Sequence, residues 1–98
     1  MNPKLKNSET DFLFSAILSL KTVDECYDFF EDLCTISEIK EMSRRISVAQ
    51  MLRNNEVYTS IAEKSGFSSA TISRANRALN YGTGGYSTVL DRIADKKE

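Results

Sequence analysis

The chain of 98 residues contains no histidine and only two cysteines. Without histidine, the Ser–His and Cys–His pairs of nucleophilic catalysis are excluded, and the commonest transition-metal ligand is missing. Two cysteines alone do not complete a structural zinc site. We therefore expect a protein that is not an enzyme and that holds no metal.

Proline is almost absent too, with one residue against four glycines, so few positions interrupt a long helix. Hydrophobic residues make up 41% and charged residues 28% of the chain, which is ordinary for a soluble globular protein. At this length we expect a single domain over residues 1–98.

The two cysteines, Cys26 and Cys34, fall on the apolar side of one predicted helix, so we expect buried, reduced thiols. The apolar stretch over residues 12–20 is far shorter than the roughly 20 residues that a helix needs to cross a bilayer. No small-residue cleavage site follows this stretch, which argues against a signal peptide. Together these features predict a soluble, cytoplasmic protein with no membrane partner.

The formal net charge is −1, but it is unevenly distributed. Residues 1–37 hold three basic and seven acidic side chains, whereas residues 38–82 hold seven basic and four acidic ones. A basic middle next to an acidic first third suggests that only one face of the molecule meets an anion.

Apolar residues recur every three or four positions along most of the chain, which predicts an all-α fold. The first helix, over about residues 9–21, has an apolar surface so wide that we expect burial between subunits. Thr22 is the predicted N-cap of a second helix, and Thr35 or Ser37 that of a third, which reaches about Asn54.

The outer face of the second predicted helix is acidic. It carries Asp24, Glu25, Asp28, Glu31 and Asp32. We interpret these carboxylates as a solvated face opposite the core. The alternative is a metal-dependent acid–base site, for which nothing else in the sequence supplies ligands.

Residues 58–77 have the layout of a helix-turn-helix, which we place at about residues 57–79. Gly66 supplies the turn, because glycine adopts positive φ without steric cost. Ser68 is the predicted N-cap of the second helix, and Ile72, Ala75 and Leu79 form its inward face. Residues 80–85 are predicted to end this helix and form a flexible hinge before a short last helix.

The outer face of that second helix carries small, hydroxyl, amide and arginine side chains. They are Ser69, Ala70, Thr71, Ser73, Arg74, Asn76 and Arg77. Such residues approach base edges and bind phosphates, and no acidic residue occurs between Gly66 and Tyr86. The motif therefore predicts binding to double-stranded DNA. The alternative is a protein-interaction module that uses the same scaffold without reading DNA.

The sequence resembles the Trp repressor family, and most closely its YerC/YecD-type members from Gram-positive bacteria. The resemblance rests on the segments at residues 35–38, 70–74 and 79–82, together with Arg45, Gly66 and the run over residues 27–35. It implies an intertwined homodimer of six-helix chains that acts as a sequence-specific repressor. Its fourth and fifth helices would read a pseudo-palindromic operator through the major groove.

Residue roles follow from the resemblance by position. Ser69, Ala70 and Thr71 would approach base edges, Arg44, Ser73, Asn76 and Arg77 would hold or neighbour phosphates, and the DNA-binding set also includes Thr59, Ser68 and Arg74. Thr35, Arg45 and Arg74 match residues that line the corepressor pocket, so L-tryptophan is one possible corepressor. Ala75 and Ala78 depart from the family's glycine and serine, and some other small ligand is the alternative.

Overall fold

The computed structural model describes residues 1–96, and these form six α-helices and no strand. The helices are α1 (Ser8–Leu18), α2 (Val23–Leu33), α3 (Ile36–Arg53), α4 (Tyr58–Ser65), α5 (Ser69–Tyr81) and α6 (Gly85–Lys96). The predicted all-α, six-helix class is confirmed. The chain divides into two compact units, Met1–Ile39 and the part from Lys40 onward, so that α3 begins in the first unit and continues through the second.

Side-chain caps set the limits of α1 and α2. Asn7 is the N-cap of α1, and its Oδ1 accepts the N–H of Thr10 at 2.8 Å. The helix ends at Leu18 rather than near residue 21 as predicted. The apolar stretch from which the later end was predicted thus extends past the helix. Thr22 adopts extended backbone, and its Oγ1 accepts the N–H of Glu25 at 3.1 Å and caps α2, as predicted.

The apolar faces of α1 and α2 are open within the described chain. Phe12 is 77% exposed, Leu18 85% and Tyr27 67%, and neither helix contains a buried residue. Cys26 is exposed, and Cys34, which lies just after the end of α2, is half-buried. The prediction of buried thiols is wrong for the single chain, because periodicity identifies an apolar face without saying that anything covers it.

A reciprocal capping box begins α3. Thr35 Oγ1 accepts the N–H of Glu38 at 3.1 Å, and the Glu38 carboxylate accepts the N–H of Thr35 at 2.8 Å. The N–H of Thr35, followed by its hydroxyl, holds the pKa of Glu38 below its ordinary value, because both hydrogen bonds favour the charged carboxylate. Of the two predicted caps, Thr35 is thus the one used. The helix ends at Arg53, and Asn55 takes a left-handed φ of 61°.

Side chains of α3, α4 and α5 form the central cluster of the core of the second unit. Val48, Ile61 and Ile72 are fully buried, and half-buried side chains surround them. Burying each of these three stabilises the fold by about 1.5–3 kcal/mol relative to exposure. Because α3 and α4 both contribute to this core, the inward face of α5 is fixed and its opposite face is left to solvent.

Two polar contacts attach the C-terminal end of α3 to α6. Arg53 Nη2 lies 2.6 Å from Asp91 Oδ1, and Arg53 Nη1 donates to the Ser87 carbonyl at 3.4 Å. The connection between α5 and α6 comprises residues 82–84, so the predicted hinge over residues 80–85 is too long, and the last helix is longer than expected. Within residues 1–96, no helix has both the length and the apolarity needed to cross a membrane.

Candidate nucleic-acid interface

The helix-turn-helix is built from α4, a three-residue turn and α5. Gly66 takes a left-handed φ of 76°, and its N–H donates to the Ala62 carbonyl at 2.8 Å, which closes the end of α4. Ser65 Oγ accepts the N–H of Phe67 at 3.1 Å, and Ser68 Oγ accepts the N–H of Thr71 at 3.2 Å. Local hydrogen bonds thus define the turn and the start of α5, as the sequence predicts.

The solvent-facing side of α5 presents predicted residues of both DNA-binding roles, with Ser69 and Ala70 for base edges and Ser73 and Arg77 for phosphates. Ser69, Ala70, Ser73 and Arg77 are all exposed. Their side chains are short apart from that of Arg77, so a polyanion could approach the helix backbone closely. Thr71 is half-buried at the edge of this side, and its hydroxyl lies 3.1 Å from Ser68 Oγ. Its methyl and hydroxyl are therefore oriented by the cap of the same helix.

Arg44 of α3 lies at the turn of the helix-turn-helix. Its guanidinium carbon is 5.3 Å from the centroid of the Phe67 ring, a cation–π arrangement. The guanidinium remains exposed, with half of the side-chain surface accessible (51%). Arg44 is thus held over the turn that precedes α5.

Two further predicted DNA-binding residues are Thr59 and Asn76. Thr59 is exposed in the first turn of α4, whose N-cap, Val57, provides no side-chain hydrogen bond. Asn76 is half-buried and accepts a hydrogen bond from Asn80 Nδ2 at 2.9 Å. It lines a polar cleft that also includes Arg53 and Asp91. Asn76 therefore lies beside the exposed face of α5 rather than at its centre.

A separate cavity of about 270 Å³ lies between α3, α5 and α6. It is lined by Arg45, Val48, Phe67, Thr71, Arg74, Ala75, Ala78 and Tyr86. The structure thus brings together two of the three predicted ligand-binding residues, Arg45 and Arg74. Thr35, the third, belongs to the first compact unit, where it caps α3. Both positions that depart from the family pattern, Ala75 and Ala78, lie in the cavity wall.

Sequence reasoning missed three residues that shape these sites. Phe67, in the turn of the helix-turn-helix, supports Arg44 and lines the cavity. Tyr86 of α6 lines the cavity through a tertiary contact that gives no signal in the sequence. Glu41 pairs with both Arg44 and Arg45, and its spacing of three and four residues from them could have indicated this.

Metal chemistry finds no support in the part of the chain that the structure describes. Among residues 1–96, no group of three or more acidic or cysteine side chains is arranged to hold a metal ion. The acidic face of α2 remains exposed to solvent at Asp24, Asp28 and Asp32. The geometry of the described residues defines an all-α protein with a helix-turn-helix and a small cavity beside it.

Comparison with known proteins identifies the family. The model of the Trp repressor protein family matches residues 8–94. The chain is 51% identical over 92 residues to the uncharacterized protein YerC of Bacillus subtilis, covering 94% of this chain and 88% of that one. The chain belongs to the Trp repressor family, as the resemblance implied, and it is a helix-turn-helix DNA-binding regulator and not an enzyme.

Two solved structures share the whole fold. A TrpR-like protein from Eubacterium eligens matches with a TM-score of 0.90 and 58% identity, covering 95% of this chain and 96% of that chain. A putative Trp repressor from Staphylococcus aureus matches with a TM-score of 0.90 and 45% identity, covering 96% and 95% of the two chains. The order of all six helices is therefore that of Trp-repressor-like proteins.

Proposed function

We propose that this protein is a homodimeric, cytoplasmic transcriptional repressor that binds a pseudo-palindromic operator in double-stranded DNA. Each α5 enters a major groove, and the two half-sites lie about one helical turn apart. Bound there, the dimer would block access to the promoter. The observation that carries this proposal is the exposed face of α5, which joins small hydroxyl residues to Arg77 without any acidic residue from Gly66 to Tyr86.

The proposed binding is sequence-specific because some side chains would contact base edges and others would contact phosphates. Ser69, Ala70 and Thr71, in the first turn of α5, would meet base edges, because short side chains allow the helix to lie deep in the groove. Arg44, Arg74 and Arg77 would each neutralise a phosphate. A dimer would then engage about six phosphates, and the slope of log affinity against log salt would be about −5.

Exposed apolar residues of the first unit support the homodimer. Phe12, Phe14 and Leu18 of α1 are each more than half exposed, and a stable soluble protein rarely leaves such a surface open. A second copy would cover it. Sedimentation equilibrium is expected to give a dimer for the wild type and a monomer for Leu18→Glu, whereas Lys21→Glu, a charge change at an exposed polar residue, remains dimeric. A monomeric wild type would contradict the homodimer.

Selection from genomic DNA tests the repressor proposal. Purified protein is incubated with sheared genomic DNA from its source, and the bound fragments are recovered and sequenced. We expect a few fragments that share a two-fold-related motif upstream of genes. Uniform or absent recovery at low salt would contradict specific reading and favour a protein-interaction module. Transcription from a recovered promoter, with and without the protein, separates repression from activation.

The lining of the cavity favours a small effector that has a carboxylate and a flat or apolar body. Arg45 and Arg74 provide positive charge, while Phe67, Ala75 and Tyr86 provide apolar walls. At about 270 Å³, the cavity lies below the usual range of drug-sized pockets, about 300–1,000 Å³. L-tryptophan is one candidate, although Ala75 narrows the wall where the family has glycine, and Ala78 lacks the hydroxyl of the family's serine.

Thermal unfolding with added amino acids tests the effector. A ligand that binds only the folded protein at a hundred times its Kd stabilises it by about 2.7 kcal/mol. We expect such stabilisation from an aromatic or apolar amino acid, and its loss in Arg74→Gln. If no amino acid among the natural twenty raises the melting temperature, amino-acid effectors are excluded and other small carboxylates become the next candidates.

A further inference from the structure

A single carboxylate pairs with two arginines on the N-terminal half of α3 in the second unit. Glu41 Oε2 lies 3.3 Å from Arg44 Nη2, and Glu41 Oε1 lies 3.4 Å from Arg45 Nε. Because the three residues are three and four positions apart, all of them share one side of the helix. The Glu41 side chain is only 38% exposed, whereas those of Arg44 and Arg45 are 51% and 60% exposed. The single negative charge, which is the least exposed of the three, is thus shared between two positive charges that are more exposed.

The two arginines serve different sites. Arg44 stacks over Phe67 at the turn of the helix-turn-helix, where a DNA phosphate would come. Arg45 lines the cavity together with Arg74. Glu41 itself lines neither the cavity nor the exposed face of α5. Its contacts nevertheless connect the two, because the one carboxylate pairs with an arginine of each site.

We propose that the Glu41 carboxylate competes with DNA phosphate for the Arg44 guanidinium. Arg45 is a positioning residue, because it pairs with the same carboxylate and so reduces this competition. This inference rests on the proposed function. When Arg45 is lost, the whole Glu41 carboxylate becomes available to Arg44. Phosphate binding by Arg44 then weakens.

The expected effect is small and has a defined sign. Ion pairs at this helical spacing are exposed and weak, so full transfer of Glu41 to Arg44 changes DNA affinity by about twofold per recognition helix. A dimer that uses both recognition helices would show about a fourfold change. The effect should decline as salt rises, because screening weakens both the ion pairs and the phosphate contact.

A double-mutant cycle tests the coupling without knowledge of the ligand. DNA affinity is measured by fluorescence anisotropy, on a duplex that carries a recovered genomic fragment, for the wild type, Arg45→Gln, Glu41→Gln and the double variant. Lys40→Gln is the matched control, because it removes one exposed positive charge from the same helix. Circular dichroism checks that each variant is folded.

The proposal predicts a non-additive result. Arg45→Gln should bind DNA about fourfold more weakly than Lys40→Gln does. Glu41→Gln should bind more tightly than the wild type. In the Glu41→Gln background, the loss caused by Arg45→Gln should shrink to that caused by Lys40→Gln. An equal loss from Arg45→Gln in both backgrounds would overturn the proposal, because it would mean that Arg45 acts only as a positive charge.

A second measurement separates this proposal from the proposed function. NMR relaxation of the Arg44 Nε–H group reports its mobility without DNA. We expect this group to become more restricted in Arg45→Gln and more mobile in Glu41→Gln. If the mobility of Arg44 is unchanged in both variants, the competition by Glu41 is overturned, whatever the DNA affinities of the variants are. If the wild type binds no DNA but the mobility changes as expected, the pairing stands and the DNA-binding proposal is what fails.

Discussion

Replacing Gly66 tests why the turn of the helix-turn-helix contains glycine. A Cβ built at this position meets no atom within 4 Å, so space is available for a larger side chain. The backbone, however, has φ +76°, which costs an L-residue about 1–2 kcal/mol. Gly66→Ala should therefore lower the free energy of unfolding by about 1 kcal/mol, since alanine also restricts the unfolded chain and recovers part of the cost.

Gly82 provides the matched opposite case. Its φ of −84° suits any residue, but a Cβ there would lie 2.4 Å from the Ala78 carbonyl oxygen, the same oxygen that accepts the Gly82 N–H. Conformation thus restricts Gly66, and space restricts Gly82. Asparagine separates the two causes, because it tolerates left-handed backbone better than alanine but has no smaller Cβ.

Urea unfolding at a fixed protein concentration, followed by circular dichroism, measures both series. At position 66 we expect the order of stability glycine, asparagine, alanine. At position 82 we expect asparagine and alanine to be equally poor. A loss of 1 kcal/mol corresponds to about 4–8 °C in melting temperature for a domain of this size. If Gly66→Asn is less stable than Gly66→Ala, the left-handed backbone is not the reason for glycine at the turn.

Three further substitutions have defined outcomes. Thr35→Ala removes the N-cap of α3 and should lower the free energy of unfolding, measured in urea, by about 1 kcal/mol. If the stability is unchanged and only the ligand affinity falls, the capping role is refuted. Arg77→Ala should reduce the magnitude of the salt slope of DNA binding by about 2 for a dimer, and an unchanged slope would remove Arg77 from the phosphate contacts. Thr71→Ala should reduce the affinity ratio between a recovered fragment and random DNA, with affinity for random DNA unchanged; a uniform loss on both would assign Thr71 to the DNA backbone.

Signals that act over a few residues made much of the fold predictable. The caps at Thr22 and Ser68 and the glycine at the turn depend on side chains and backbone within three residues, so the sequence contains the whole interaction. The early end of α1 was missed because the apolar stretch of the sequence continues to Leu20, past the end of the helix at Leu18. The length of the last connection was missed for a similar reason, since glycines within residues 80–85 suggest a hinge even where helices extend into it.

Tertiary contacts account for the unpredicted parts of the candidate sites. Helical periodicity placed Cys26 on an apolar face correctly, but it could not say that this face is open within one chain. Tyr86 reaches the cavity only because α6 packs against α5, a contact without a local signature. Glu41 is the intermediate case, because its spacing from both arginines is visible in the sequence, whereas the division of one carboxylate between them appears only in three dimensions.

The capping box of α3 gives a pH-dependent prediction that isolates Glu38. Hydrogen bonds from Thr35 lower the pKa of this carboxyl in the folded protein, so the folded state favours its charged form. The associated stability is fully present above the ordinary value of 4.5 and is lost as the pH falls through the lower, folded-state pKa. Glu38→Gln keeps an acceptor for the Thr35 N–H but cannot titrate, so its stability should fall less on acidification than that of the wild type.

Glu31→Gln, at an exposed glutamate of α2, corrects for the loss of one negative charge. Urea unfolding from neutral pH to below 4.5 gives the comparison. Parallel pH profiles for the wild type and Glu38→Gln would mean that the Thr35–Glu38 box is no stronger in its charged form, which would contradict the cause assigned to the lowered pKa.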